Sequence, residues 1–165
     1  MTAKYFIDSL QLKPHPEGGF FKETYRSSGT IALKCLPPYF NGKRSYATSI
    51  YFLLQPGHFS AFHRIASDEC WHFYEGGALL IHIIDKQGTY SCIRLGRKTG
   101  EGEFFQFVVP AHCWFASEPA PGTEFSLVGC TVSPGFDFAD FEMADKKLLS
   151  GQFPQHHSVV NRLCR

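Results

Sequence analysis

The sequence predicts an all-β fold, an antiparallel barrel or sandwich, from three observations. Short apolar runs follow one another along most of the chain, Gly and Pro residues separate them, and no helical pattern lies between them. The composition agrees, with 17 Phe, 7 Tyr, 15 Gly and 10 Pro but only 2 Met, as is typical of short strands and tight turns. Without helices between the strands, a parallel sheet is excluded, because parallel strands need long crossover connections.

Helices are predicted only at the two ends of the chain. Thr2 is a suitable N-cap for a helix over residues 3–10, whose apolar side chains fall on one helical face. Near the other end, apolar residues at helical spacing precede Gly151 and Pro154, which favour a helix stop. This pattern predicts a second short helix over about residues 142–149.

Strands and turns alternate between these helices. The first strand is predicted over residues 20–26, after a turn-forming segment, and residues 27–43 carry the Gly, Pro-Pro and Asn-Gly pairs of a loop. Further runs of strand length span residues 46–54, 59–63, 69–74, 79–84, 89–95, 103–109, 110–117 and 123–132. No linker or repeat interrupts the pattern, so we expect a single domain over residues 1–165.

Charge and cysteine content argue against several classes of partner. Sixteen Lys and Arg against fifteen Asp and Glu leave a formal charge of +1, whereas nucleic-acid binding normally needs a clustered basic excess. No apolar run reaches the length of a membrane span or signal peptide core, so we expect no membrane partner and a cytoplasmic location. The six cysteines form no CxxC pair, which favours free thiols over a metal or redox motif.

The most informative segment lies between Gly57 and Gly76. It resembles the first motif of the cupin superfamily, G-x5-H-x-H-x3-E-x6-G, with His63 and Glu69 at two of the positions that hold a divalent metal in that superfamily. Ile65 stands where the second histidine of the motif belongs. One ligand of the motif is therefore replaced by a hydrocarbon side chain.

A second replacement lies in the segment from Pro110 to Phe115. This segment resembles the second cupin motif, and Phe115 stands where its metal-binding histidine belongs. Two of the usual four ligands then remain, whereas a tight first-row metal site normally uses three or more. We therefore expect no resident metal or other cofactor, with His112 or His58 as the alternative ligands that would restore weak metal binding.

At a finer level, the chain resembles the Cupin_5 family (DUF985), a cupin-like family of unknown function. The resemblance rests on blocks that cover nearly the whole chain in order: residues 14–20, 48–54, 62–72, 109–114 and 132–138. It implies a double-stranded β-helix, the cupin jelly-roll barrel, usually paired as a homodimer and enclosing a deep pocket. It implies no particular reaction.

Strand periodicity indicates which residues face that pocket. If Glu69 points inward, Trp71 does so too, and the interior is aromatic with one carboxylate. A buried carboxylate needs a partner, and His63 is the natural one. We expect His63 and Glu69 to be a catalytic acid/base pair; the alternative is that they are a structural polar couple inside the barrel.

Further candidates for ligand contact lie on three other segments. The glycine-flanked turn with Glu17 is interpreted either as a rigid turn or as a lip of the pocket, followed by polar side chains on the next strand. In the apolar strand of residues 48–54, neighbouring side chains face opposite ways, so only one of the adjacent residues Tyr51 and Phe52 can reach the pocket. With Trp71, the predicted ligand-binding residues are Glu17, Tyr25, Arg26, Tyr51 and Trp114.

Two functions from different classes agree with these residues. The first is binding of a small polar or sugar-like metabolite in the barrel pocket. The alternative is a metal-independent isomerase or epimerase, as the resemblance to such cupins implies, with His63 and Glu69 as its acid/base pair. The second carboxylate that those epimerases use has no evident counterpart in this sequence.

Overall fold

The strands of the protein form two facing antiparallel sheets in a computed structural model that describes residues 1–16 and 18–165. In chain order the strands are β1 (Lys13–Pro14), β2 (Phe20–Arg26), β3 (Thr30–Ile31), β4 (Arg44–Ser45), β5 (Thr48–Leu54), β6 (Ser60–Arg64), β7 (Asp68–Gly76), β8 (Leu79–Ile84), β9 (Tyr90–Leu95), β10 (Gln106–Val109), β11 (Trp114–Pro119), β12 (Ser126–Ser133) and β13 (Glu142–Met143). The first sheet has the order β1-β2-β5-β12-β7-β10 and the second the order β13-β6-β11-β8-β9, while β3 pairs with β4 alone. The predicted all-β jelly-roll class is confirmed.

Alternation along the strands sends apolar side chains to both faces of the first sheet. On β5, Phe52 and Leu54 point between the sheets, whereas Leu53 points to the outer face. Across the gap, Ile81 and Phe115 of the second sheet meet the inward residues in one buried cluster. Burial of this apolar surface between the two sheets is the main stabilising contribution to the barrel.

The N-terminal helix α1 (Ala3–Leu10) has the predicted bounds and covers the outer face of the first sheet. The hydroxyl of Thr2 accepts a hydrogen bond from the backbone N–H of Tyr5 at 3.3 Å, as a helix cap does. The residue after the helix, Gln11, has a left-handed backbone conformation and ends it. Leu53 packs beneath the helix.

The C-terminal part of the chain differs from the prediction. Residues 142–143 pair with β6 as a strand, so the helix expected there begins only after Asp145, whose carboxylate accepts from the N–H of Leu148 at 2.9 Å. Helices α2 (Lys146–Gln152) and α3 (His157–Leu163) follow. The third helix was not predicted, because its apolar residues are few.

These two helices cover the outer face of the second sheet. Val160 and Leu163 of α3 are buried against Phe62 and Ile84 of the sheet. His156, between the two helices, contacts the barrel as well, since its Nε2 lies 2.8 Å from the backbone carbonyl of Gly88. Within the described parts of the chain, the helices fall short of the length and apolarity needed to cross a membrane.

Candidate functional site

A cavity of about 290 Å³ lies between the sheets. Most of its wall comes from β2, β5, β7 and β12, with contributions from the end of β6 and the segment after β12. Its apolar lining consists of Phe21, Ile50, Phe52, Ile65, Trp71, Cys130, Val132, Phe136 and Phe138. Its polar lining consists of His15, Glu23, Arg26, Thr48, His63, Glu69 and Asp137.

Strand order separates two groups of wall residues on the first sheet, each with a carboxylate. Glu23 and Arg26 lie on β2, while Glu69 and Trp71 lie on β7, and β5 and β12 come between them. Three strand spacings of about 4.8 Å separate the groups by roughly 14 Å along the sheet. The β2 side chains are nearly half exposed, whereas Glu69 and Trp71 are buried, so one polar group lies at the mouth and the other inside.

A β-bulge in β2 decides which residue of that strand enters the cavity. Glu23 lies opposite Ile50 and Tyr25 opposite Ser49, so Thr24 is an extra residue in the ladder. The hydroxyl of Thr24 donates to the carbonyl of Ser49 at 3.2 Å. The bulge reverses the facing of the rest of the strand, with Tyr25 turned outward and the next residue, Arg26, turned inward.

Arg26 is held at the mouth by two partners. Its Nε and Nη2 donate to the carboxylate of Glu23 at 3.1 and 2.7 Å, and its Nη1 donates to the carbonyl of Phe136 at 3.0 Å. The hydrogen bond with Glu23 raises the pKa of Arg26 in spite of its partial burial. The guanidinium thereby connects β2 to the segment that forms the rim of the cavity.

A hydrogen bond from one ring nitrogen and packing against two aromatic rings hold the His63 side chain inside the barrel. Its Nδ1 lies 2.7 Å from the carbonyl of Ala61, and because a carbonyl only accepts, this nitrogen carries the proton. In the neutral imidazole Nε2 is then the acceptor. The ring centroid lies 4.1 Å from that of Phe115, and the ring of Phe141 stacks on the imidazole at 5.3 Å.

Glu69 and Trp71 face the cavity from β7, as strand periodicity predicted. The Trp71 side chain is 2% exposed, and its ring meets those of Phe52 and Phe115 edge to face. Its Nε1–H is buried and has no hydrogen-bond partner among the residues that the structure describes. A hydrogen bond between His63 and Glu69 stays a prediction.

The two hydrocarbon replacements in the cupin motifs do not fit a metal. Ile65 lines the cavity, and the Phe115 ring fills the core beside His63, so neither position supplies a donor atom. His112 lies in a separate cleft with its ring against Tyr39. His58 lines a third cleft, and in residues 1–16 and 18–165 no three His, Cys, Asp or Glu side chains converge as a metal-binding group.

Of the predicted site residues, the structure brings His63, Glu69, Arg26 and Trp71 into one cavity. Three others were wrongly placed there. Tyr25 is 53% exposed because of the bulge, Tyr51 points to the outer face and meets the ring of Tyr74, and Trp114 lies beneath the guanidinium of Arg64 beside the C-terminal helices. Glu17 lies outside the described residues.

Two contributors to the cavity wall were not predicted from the sequence. Glu23 alternates with Phe21 along β2, so strand periodicity could have identified it. The segment from Phe136 to Phe138 follows the last long strand and has no strand periodicity, so only its place in the family resemblance set it apart. His15, between β1 and β2, also lines the cavity.

Comparison with known proteins gives close relatives over the full chain. A family model described as Cupin_5, cupin superfamily (DUF985), matches residues 4–144. An uncharacterized protein of Saccharomyces cerevisiae is 33% identical over 150 residues, which are 84% of this chain and 73% of the yeast protein. Solved structures of a hypothetical protein from Leishmania major and of a protein from Shewanella oneidensis superpose with TM-scores of 0.90 and 0.88, at 35% and 42% identity, and each covers at least 98% of both chains.

A more distant similarity concerns the fold alone. Oxalate decarboxylase from Bacillus subtilis superposes with a TM-score of 0.55 at 15% identity, over 91% of this chain and 36% of the decarboxylase. At this identity the match supports a shared barrel and not a shared reaction. The chemistry of the cavity therefore has to be argued from its own residues.

Proposed function

Since the chain belongs to the Cupin_5 (DUF985) family of the cupin superfamily, which carries a fold rather than a reaction, we propose that it binds a small polar metabolite in the barrel cavity. The cavity volume of about 290 Å³ is close to the lower limit of the range of about 300–1,000 Å³ typical of small-molecule sites. Aromatic walls with a few polar groups are also typical of such sites. A sugar-like or similarly small ligand agrees with this size.

The observation that carries this proposal is the indole N–H of Trp71. A buried donor without a partner costs about 1–3 kcal/mol, and this donor is buried in a residue that lines the cavity. An acceptor atom of a bound molecule would remove that cost. The buried Glu69 carboxylate on the same face of β7 offers the complementary acceptor for a hydroxyl or amine.

Native mass spectrometry of protein purified without chelator tests the proposal, because it reports bound metabolite, bound metal and subunit number together. We expect a small organic ligand on the parent protein and its loss from Trp71→Phe. Trp114→Phe is the matched control, since Trp114 lies outside the cavity. A parent protein without ligand, or Trp71→Phe retaining it as well as Trp114→Phe, would contradict the proposal.

A second candidate function, a metal-independent isomerase or epimerase, is favoured by the geometry of His63. With Nδ1 bound to the Ala61 carbonyl, Nε2 is the atom that would take a proton from a substrate, and Glu69 lines the same cavity. Incubation with aldose and ketose sugars in D₂O tests this function by mass spectrometry. Deuterium entering a sugar carbon with the parent protein and not with His63→Ala would support it, and no incorporation into any sugar would exclude it for that substrate class.

We also propose a cytoplasmic homodimer. Strand β10 is an edge of the first sheet, and the adjacent Phe105 and its own Val108 expose apolar side chains at 58% and 46%. An apolar edge strand is a surface that proteins commonly cover. The cysteines in the described residues form no disulfide, which is consistent with a reducing compartment.

A further inference from the structure

A cluster of titratable side chains lies on the outer face of the second sheet, on the other side of that sheet from the cavity. At its centre His82 of β8 is 3% exposed. Its Nδ1 lies 2.8 Å from the hydroxyl of Tyr90 on β9, and its Nε2 lies 3.1 Å from the carboxylate of Glu118 on β11. Cys92 of β9 is opposite His82 in the ladder. The groups that face His82 are therefore these three from the sheet and Arg162 from helix α3.

Helix α3 reaches this cluster through Arg162. The guanidinium binds Oε1 of Glu118, the same oxygen that lies next to Nε2 of His82. Two donors thus share one carboxylate oxygen. A proton on His82 would place an imidazolium beside the guanidinium, and like charges repel. Protonation of His82 and docking of α3 therefore oppose each other.

The helix is short and depends on packing. It has seven residues, fewer than the roughly 12–15 that an isolated helix needs, and its buried residues are Val160 and Leu163. Both pack on Ile84, which shares a face of β8 with His82. Terminal elements of this kind open at a lower free energy than the core of a domain. Opening of α3 uncovers this part of the sheet.

Exposure to water changes the affinity of His82 for a proton. Burial, together with the charge of Arg162, lowers its pKa in the docked state, although Glu118 opposes the shift. An exposed histidine has a pKa of about 6.5. The open form therefore binds the proton more tightly, and by linkage acid shifts the equilibrium towards opening. The helix is most firmly docked above about pH 6.5 and opens progressively below it.

The end of the chain after α3 is also bonded to a turn beside the cavity. Nη1 of Arg165 donates to the carbonyl of Pro16 at 3.2 Å, and its guanidinium lies over the ring of Phe59. His15, next to Pro16, lines the cavity. If α3 leaves the sheet, Arg165 moves with it and the carbonyl of Pro16 loses this donor.

We propose that binding of a proton to His82 releases helix α3 from the second sheet, and that this release frees the turn at Pro16 beside the cavity. Acid would then loosen one wall of the cavity through a group outside it. The release of α3 needs no ligand, so a failed test of it leaves the proposed binding function untouched.

Hydrogen exchange followed by NMR measures the opening, as protection relative to an unstructured peptide at the same pH. The amide of Cys164 reports on α3, since it donates to the carbonyl of Val160 at 2.9 Å. We expect its protection to be at least about three-fold lower at pH 5 than at pH 7, and at most about 25-fold lower, the limit for proton binding at a pKa of about 6.5.

Two internal comparisons show whether the opening is local. The amide of Leu12, which donates to the carbonyl of Ile7 at 2.9 Å at the end of α1, lies on the other sheet and should keep its protection at pH 5. The amides of β12 report on opening of the whole barrel. If Cys164 is as protected as they are, the helix opens only with the barrel, and the proposal is wrong.

Two histidines separate the cluster from a general effect of acid. His82→Gln should abolish the pH dependence at Cys164. His157→Gln is the matched control and should retain it, because His157 lies on α3 itself but its Nε2 contacts the side chain of Asn161. Unchanged pH dependence in His82→Gln, or its loss in both variants, would overturn the proposal.

Arg162→Gln gives a test at a position that tolerates substitution, since this side chain is half exposed. Loss of the ion pair with Glu118 should lower the protection of Cys164 about two- to five-fold at pH 7. Protection equal to that of the parent would show that Arg162 does not hold the helix, contrary to the proposal.

Arg165→Gln tests the connection to the cavity. The amide of His15 donates to the carbonyl of Gly19 at 3.0 Å, and in the parent its protection should fall at pH 5 together with that of Cys164. In Arg165→Gln the helix should still open with acid, while the His15 amide no longer follows. A His15 amide that responds equally in parent and variant, or in neither, would contradict the proposed release of the turn.

Discussion

Glu23 and Arg26 form a two-point ion pair on the cavity face of β2, although they are three residues apart in a strand. In a regular strand an odd separation places side chains on opposite faces. The extra residue Thr24 removes that constraint. The bulge thus lets two residues at an odd separation share the cavity face.

Two single-residue deletions test the role of the bulge. Deleting Thr24 makes the strand regular with Glu23 still opposite Ile50 and Arg26 still opposite Thr48, so the ion pair should survive. Deleting Lys22 also makes the strand regular and keeps Arg26 in place, but it moves Glu23 to the outer face. Crystal structures of the two variants check this expectation, and loss of the Arg26 position in the Thr24 deletion would contradict it.

The stability of both deletion variants should stay close to that of the parent. The side chains of Glu23 and Arg26 are about 40% exposed, and exposed ion pairs contribute at most about 1 kcal/mol. Chemical denaturation measures this difference. A much larger loss in the Lys22 deletion alone would show that the pair stabilises the barrel rather than shaping its mouth.

The pair inside the cavity should matter for ligand more than for folding. His63→Ala and Glu69→Gln are expected to abolish binding or turnover of the co-purified ligand, because each removes a group that the ligand would use. The free energy of unfolding should fall by about 1–3 kcal/mol, for the partner left unsatisfied. Denaturation and native mass spectrometry of the same samples measure the two effects.

Trp71→Ala is the comparison for these variants. It should cost about 3–5 kcal/mol through the cavity that it leaves in the core. If His63→Ala and Glu69→Gln stay folded and bind ligand as well as the parent, the pair is structural, and the lip predicted from the sequence, with His15, Glu17 and Arg26, becomes the candidate.

Buried His82 should make stability depend on pH. Its Nδ1 lies 2.8 Å from the hydroxyl of Tyr90 and its Nε2 lies 3.1 Å from the carboxylate of Glu118, which also binds Arg162 of α3. Because the carboxylate only accepts, Nε2 carries the proton of the neutral ring, and Nδ1 accepts from the Tyr90 hydroxyl. Burial raises the pKa of Tyr90 to about 12, so this hydroxyl stays protonated. Burial lowers the pKa of His82, outweighing the opposing effect of Glu118.

The sign of the effect follows from this lowered pKa. At pH values between the lowered pKa of His82 and the ordinary histidine pKa of about 6.5, the unfolded chain binds a proton at His82 that the folded protein does not bind. Stability should therefore decrease as pH falls below about 6.5 and be independent of His82 above it. Urea unfolding from pH 5 to pH 7.5 measures the slope, which should be smaller in His82→Gln; an identical slope in the variant would exclude His82 as the source.

The dimer proposal predicts a molar mass of twice 18.6 kDa by light scattering. Charges on the exposed edge, as in the double variant Phe105→Asp and Val108→Asp, should give the monomer with an unchanged fold, because carboxylates on an edge strand oppose pairing. A monomeric parent well above micromolar concentration would contradict the dimer. A dimer that persists in the double variant would place the interface elsewhere.

Strand bounds were predictable wherever one face of a strand is apolar and its ends carry turn residues. The strands of residues 20–26 and 79–84 have the predicted bounds for this reason. Helix α3 was missed because its sequence is mostly polar and its helical form depends on packing of Val160 and Leu163 against the second sheet. Helix propensity depends on the local sequence alone and does not report that tertiary contact.

For the site, motif spacing and periodicity identified His63, Glu69 and Trp71 because they lie on regular strands. The choice of Tyr51 over Phe52 was wrong since both faces of β5 are covered, one by the barrel and one by α1. Periodicity then divides β5 into two apolar faces, but it does not show which of them faces the interior of the barrel. The wrong placement of Tyr25 has a different cause. The bulge at Thr24 reverses which side chains of β2 face the cavity, and the alternation of apolar and polar residues does not show where a bulge lies.

The hydrocarbon side chains at Ile65 and Phe115 also determine what an engineered metal site in this barrel would require. Histidine would be needed at both positions, and the first of these substitutions alone would bury an imidazole among apolar side chains before its partner ligand existed, at a cost of about 1–3 kcal/mol. The two substitutions are therefore coupled, and the double variant is more accessible to design than either single variant.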